Sequence, residues 1–199
     1  MARYTGPKRR LSRREGIPLT SKDVKALERK GAVPPGQRGR RRSRVSEYGI
    51  QLREKQKAKR MFGILEKQFS LYFHKASRER GERGKVLLEL LEMRLDNIVY
   101  KLGFTKSRAE ARQFVSHRHI SVDGKRVKTP SYQVKVGQTV AILGNLVDNI
   151  QVKRNLEENQ TLPEWLERRA TVGKVLRRPE RSDMEQSINE QLIVEYYSR

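Results

Sequence analysis

The first sixty residues hold 20 Lys and Arg against 5 Asp and Glu, and within residues 1–45 Pro7, Gly16, Pro18, Gly31, Pro34, Pro35, Gly36 and Gly39 cut the chain repeatedly. Such a segment cannot bury enough apolar surface to offset its ordering entropy, so residues 1–45 read as a basic extended arm ordered mainly by a ligand. A short helix near 21–30 is the one regular element expected there. The excess is not spread evenly: residues 61–92 carry 6 basic against 5 acidic side chains, 93–155 carry 12 against 4, and 156–199 carry 7 against 9. With a net charge of +22, the compact state repels itself in isolation and is relieved by phosphates, which points to a polyphosphate partner.

Several classes of function are excluded early. The chain has no Cys, hence no disulfide, no thiolate nucleophile and no zinc site built on Cys. No window approaches eighteen consecutive apolar residues, so neither a membrane span nor a secretory leader is expected. Phosphate loops of the Walker type, G-x-G-x-x-G, G-x-S-x-G and HExxH are all lacking, and the carboxylates are scattered, so no enzyme is expected. His117 and His119, at i and i+2 without a third ligand nearby, make a poor metal site, and no metal, cofactor or small-molecule substrate is expected.

From 46 to 74 the breakers thin out and Ile50, Leu52, Met61, Phe62, Ile64, Leu65, Phe69, Tyr72 and Phe73 recur at loosely helical spacing among Lys55, Lys57, Lys59 and Arg60. The pattern predicts one long helix with a basic face, a polar connection over 77–85, and a strongly apolar helix from 86.

Residues 94–143 carry the densest signals. In 94–102 the apolar Leu95, Ile98, Val99 and Leu102 stand at i, i+3, i+4 and i+7, with Gly103 placed as the residue that stops the helix. Ser107 and Glu110 have capping-box spacing for a second helix that would expose Arg108 and Arg112 on one face. His119–Val122, Asp123-Gly124 and Lys125–Val127 read as a hairpin about a turn that needs positive φ. Its flanks carry Arg118, Lys125, Arg126 and Lys128. Val134-Lys135-Val136 and 139–143 add strand-like alternation. In the tail, Thr161 and Pro163 predict a helix start with Trp165 and Leu166 as anchors, and 191–197, β-branched and aromatic, predicts a terminal strand. The fold class is therefore α+β: a helical amino-terminal region with a basic arm, plus a small helix-helix-β-sheet module. The expected divisions are 1–45 arm, 46–93 helical domain, 94–155 module, and 156–199 packing back on the helical domain.

Residues 94–138 resemble the RNA-binding module named after bacterial small-subunit ribosomal protein S-four, a module found also in pseudouridine synthases and a tyrosyl-tRNA synthetase. The remainder decides among these. MARYTGP at the start, PPGQ at 34–37, SEYGIQLREKQKAKRMFGILEKQF at 46–69 and GKVLRRPERSDMEQSINEQLIVEYYSR at 173–199 resemble that ribosomal family itself, so the likeness runs end to end.

The resemblance implies binding to the five-prime domain of small-subunit ribosomal RNA, nucleation of that domain's assembly, and a place at the messenger-RNA entry beside ribosomal proteins S-five and S-three, with an influence on decoding accuracy. Messenger RNA is a further candidate partner. A cytoplasmic ribosome is the implied location, an organellar one the alternative. The implied RNA contacts are Arg3, Lys8, Arg9, Arg10, Arg13, Arg14, Arg38, Arg40, Arg41, Arg42 and Arg44 in the arm, and Tyr48, Gln51, Lys55, Lys57 and Arg60 in the helical region. In the module they are Arg94, Ser107, Arg108, Arg112, His117, Arg118, His119, Lys125, Arg126 and Lys128. Many members bind zinc through four Cys in the arm; this chain has none, which implies an arm held by RNA contacts and packing. Arg38 stands where the family often has His.

Overall fold

The structure is a computed structural model that describes residues 4–30, 33–36, 45–147, 149–157 and 162–199. Among these the elements run α1 (Lys8–Glu15), α2 (Ser21–Lys30), α3 (Glu47–Met61), α4 (Glu66–Ala76), α5 (Arg83–Glu92), α6 (Leu95–Lys101) and α7 (Arg108–Ser116). Then come β1 (Ile120–Val122), β2 (Lys125–Arg126), β3 (Thr139–Ile142), α8 (Ile150–Glu157), β4 (Leu166–Arg169), β5 (Val172–Val175) and α9 (Glu190–Tyr197). The class is α+β. Two compact units are present, one of Met1–Gly84 with Ser187–Arg199, the other of Lys85–Gln186.

In the first unit the arm has more regular structure than its composition suggests. α1 stops at Gly16, whose φ of 72° and N–H to the Ser12 carbonyl make a left-handed cap, and α2 follows within a few residues. The single long helix expected over 46–74 is instead two. Gly63, at φ 64°, separates α3 from α4. Phe62 and Ile64, two residues apart, would point to nearly opposite sides of a continuous helix; the turn at Gly63 buries both, at 3% and 4% exposure. The terminal segment is a helix and not a strand. Asn189 caps it by accepting from the Gln191 N–H at 3.1 Å, and Ile193 is buried one turn before Tyr197. The Tyr197 ring stacks on Phe73 at 4.4 Å, so packing along one helical face overrides the β-propensity of these residues.

In the second unit one antiparallel sheet, in the order β2-β1-β3-β5-β4, carries the core. Leu95, Ile98, Val99 and Leu102 of the α6 segment, Ala111 and Val115 of α7, and Ile120, Val140, Trp165 and Val175 all lie in it. Gly103 has φ 75°, as its stop position requires. Ser107 caps α7 by accepting from the Glu110 N–H at 3.3 Å. The box is offset, however, because the Glu110 carboxylate accepts from Lys106 N–H at 2.9 Å. The hairpin turn has positive φ at both Asp123 (48°) and Gly124 (78°), with Ser121 opposite Arg126.

Two differences enlarge the sheet. No helix starts at 163–166: Leu166 opens β4, which turns at Ala170 (φ 50°) into β5, and β5 pairs with β3, so backbone partners in the sheet decide the conformation. Thr161 lies outside the described residues. Within the 156–199 tail, then, β4 and β5 complete the module's sheet, and Ser187–Arg199 alone groups with the helices of the first unit. Val134 is buried but bonds Met93 in a loop that turns at Gly137, φ 87°, and Val134–Val136, expected as strand, adds none. No helix among the described residues is long and apolar enough to cross a membrane.

Candidate nucleic-acid interface

Sorting the cations by what they touch separates structural groups from groups presented to solvent. Along α3 they are engaged internally. Lys55 is 4% exposed, with its ammonium 2.6 Å from the Glu66 carboxylate and 4.4 Å from the centre of the Tyr196 ring. Lys57 pairs with Glu54 at 2.8 Å, Arg60 with Glu15, and Gln51 donates to Glu195 at 3.0 Å. Tyr48, half exposed, lies 5.7 Å from Tyr196. The basic face expected of this helix is therefore a scaffold on which α1, α4 and α9 are fastened. Burial would raise the Glu66 carboxyl, but the bonds from Lys55 and Lys59 outweigh it and hold it below the ordinary range.

The helix pair of the module corrects a second expectation. Arg94 is fully buried, donating to Asp96 at 3.0 and 2.6 Å, which takes it out of any set presented to a ligand. Arg112 lies 3.6 Å from the same carboxylate. Arg108 donates to Asn97 at 2.8 Å, pairs with Glu185, and stacks over Tyr100 at 4.7 Å. Both are partly buried, so the exposed face predicted for them is in fact an ion-pair seam. Burial pushes Glu185 up, but Arg108 and Lys101 more than compensate and its carboxyl sits low; Glu92 beneath them is held high by complete burial.

Exposed cations are spread over both units, and two groups of them lie on α1 and at the β1–β2 hairpin. On α1, Lys8, Arg9, Arg10 and Arg14 point outward, whereas Arg13 donates to the carbonyls of Val33 (3.0 Å) and Pro34 (3.3 Å). In the second unit His117, Arg118, Lys125, Arg126 and Lys128 are exposed between the end of α7 and the β1–β2 hairpin, and none is in an ion pair among the described residues. Arg118 has φ 63° and, with His119, closes α7 by bonds to Val115 and Phe114, a left-handed cap at a residue that is not glycine. His117 and His119 stack at 6.1 Å, and among the described residues no group of His, Asp and Glu could hold a metal. The hairpin is anchored by Asp123, which accepts from Thr139 N–H (2.8 Å), Thr139 Oγ1 (3.1 Å) and Gln138 Nε2 (2.7 Å). The Thr139 amide in particular draws its carboxyl below the usual range.

Arg3, Arg38, Arg40, Arg41, Arg42 and Arg44 lie outside the described residues. Ser107 spends its hydroxyl on the helix cap. Sequence reasoning missed the carboxylates that aim these cations, Glu15, Asp23, Asp123 and Glu185. Of these, Asp123 alone had a local signal, the Asp-Gly turn.

Residues 3–92 match the family profile described as the ribosomal protein S4/S9 N-terminal domain, and residues 93–140 match the S4 domain. The small ribosomal subunit protein uS4 of Dictyoglomus turgidum is 50% identical over 206 residues, and that of Natranaerobius thermophilus 51% over 210, each alignment covering 100% of both chains. The chain belongs to the uS4 family of small-ribosomal-subunit proteins. The uS4A protein of Symbiobacterium thermophilum is 50% identical over 207 residues, again end to end. Membership of the uS4 family makes the chain a structural constituent of the small subunit and not an enzyme. The boundary between the two matched uS4 regions, at 92/93, falls at the end of α5, just before the bidentate Arg94–Asp96 pair.

Proposed function

We propose that the protein binds the five-prime domain of small-subunit ribosomal RNA and nucleates its assembly, using the outward face of α1 and the hairpin cations. The observation that carries this is the partition of charge: α3 and α7 pair their cations internally, while Arg118, Lys125, Arg126 and Lys128 remain exposed on a hairpin fixed by Asp123. Backbone phosphates suit such groups, Arg binding them bidentately and Lys as a point charge. The resemblance extends the proposal to the messenger-RNA entry, to neighbours S-five and S-three, and to decoding accuracy, in a cytoplasmic ribosome.

The test is binding of the full chain to five-prime-domain RNA, competed with an equal mass of unrelated structured RNA across a salt series. About ten phosphate contacts give a slope of log affinity against log salt of about −7 to −9, with a strong preference for the five-prime domain at physiological salt. Equal competition would reduce the protein to a general polyanion binder.

A further inference from the structure

We infer that Asp23 is a positioning residue for RNA binding: it holds α1 folded in the free protein, so that Lys8, Arg10 and Arg14 face the RNA before it arrives. The inference rests on the RNA-binding reading of α1 given above. It starts from a polar knot. Asp23 and Ser12 are 2% and 1% exposed, in a region with few apolar side chains, and buried polar groups are kept where their bonds are satisfied. Here they are. Ser12 Oγ donates to Asp23 Oδ2 at 2.7 Å and accepts from the Leu19 N–H at 3.3 Å; Thr20 Oγ1 donates to the same carboxylate oxygen at 2.8 Å; the Arg9 guanidinium lies 3.8 Å from the other. One carboxylate thus joins α1, the 17–20 turn and the first turn of α2.

A second carboxylate fixes the far end. Glu15, its side chain 1% exposed, takes Arg60 and, at 3.4 Å, Arg53 from α3. Ser12 and Glu15 are three residues apart and share a face of α1; Arg10 and Arg14 stand on the opposite face, and Lys8 is exposed in the first turn. Arg13 adds a hold on residues 33 and 34. A chain without Cys thereby gains through hydrogen bonds the cross-link that its composition does not supply, and the ordering cost of the arm over 8–30 is met during folding instead of during binding. Preorganisation of this kind leaves the number of phosphate contacts unchanged and alters only how much ordering accompanies them.

Amide hydrogen exchange on the full-length protein without RNA, comparing the natural sequence with Asp23→Asn and Ser12→Ala, reads the knot by itself. Residues 8–30 should be protected in the natural protein and exchange faster in both variants, with residues 85–186 unaffected. Titration of the same proteins with five-prime-domain RNA reads the consequence: affinity about tenfold weaker for Asp23→Asn, the scale of one charge-assisted hydrogen bond, with an unchanged salt slope. Lys8→Ala with Arg10→Ala should instead flatten the slope. An unprotected arm in the natural protein, unchanged exchange in Asp23→Asn, or faster exchange with unchanged affinity would each overturn the inference. Failure of the natural protein to prefer its RNA would overturn the RNA-binding reading, while the exchange result would still decide whether Asp23 holds α1.

Discussion

Truncating Arg94 to Met would leave the Asp96 carboxylate, 4% exposed, with the Arg112 guanidinium at 3.6 Å and without its bidentate partner. Breaking a buried pair in this way costs about 3–5 kcal/mol. A melting curve should show that loss, and the folded fraction should bind RNA as before, because the guanidinium never reaches solvent. Arg118 behaves in the opposite sense. It is exposed and held at φ 63°, where a side chain with a Cβ is strained and glycine is not. Arg118→Gly should therefore raise stability by about 1 kcal/mol, relieving that strain, and at the same time weaken RNA binding and lower the salt slope by about one phosphate. Parallel denaturation and binding titrations check both signs. A variant that lost stability would mean that the side chain packs, and does not merely project.

Glu66 ties α4 to α3 through Lys55 and Lys59 and accepts from the α9 Tyr197 hydroxyl at 3.0 Å. Because its folded pKa is lowered from 4.5, its contribution is present above that value and is lost as the pH falls through the depressed one. Glu92 has the reverse sign: burial raises its pKa, so its contribution is complete below 4.5 and is lost as the pH rises through the elevated value. Glu66→Gln should flatten the acid limb of a stability-against-pH curve, and Glu92→Gln the limb above it; urea midpoints across the pH series separate the two. Neither carboxylate was legible in the sequence, since Glu66 meets Lys55 and Lys59 only through the turn at Gly63 and Tyr197 only through the packing of α9, and the burial of Glu92 is set by the fold around it. What was legible is local. The stop at Gly103, the Ser107 cap and the Asp123-Gly124 turn are each decided within a few residues. The β-branched and aromatic run at 191–197 misled because its conformation is set by Phe69, Phe73 and α3, and Arg108 and Arg112 misled because Asp96 and Glu185 complete a seam that spacing alone does not reveal.

Across the whole molecule the net charge of +22 works against folding and for binding, so salt should move the two in opposite directions. Between about 0.05 and 0.5 M monovalent salt, screening shortens the reach of repulsion from about 14 to 4 Å, and the exposed cations, those of α1 and the hairpin among them, are the charges it acts on. The internal pairs at Lys55, Arg94 and Arg108 are partly or wholly shielded from solvent and are screened much less. The melting temperature of the free protein should therefore rise over this range, while affinity for five-prime-domain RNA falls steeply. A melting temperature that fell with salt would mean that exposed ion pairs outweigh the repulsion. Adding the RNA at low salt should raise the melting temperature further than salt does, since a ligand bound to the folded state stabilises it by mass action. That gain should shrink in Lys125→Ala with Arg126→Ala, whose exposed side chains are not needed for the fold, and persist in Lys57→Ala, whose ammonium is already committed to Glu54.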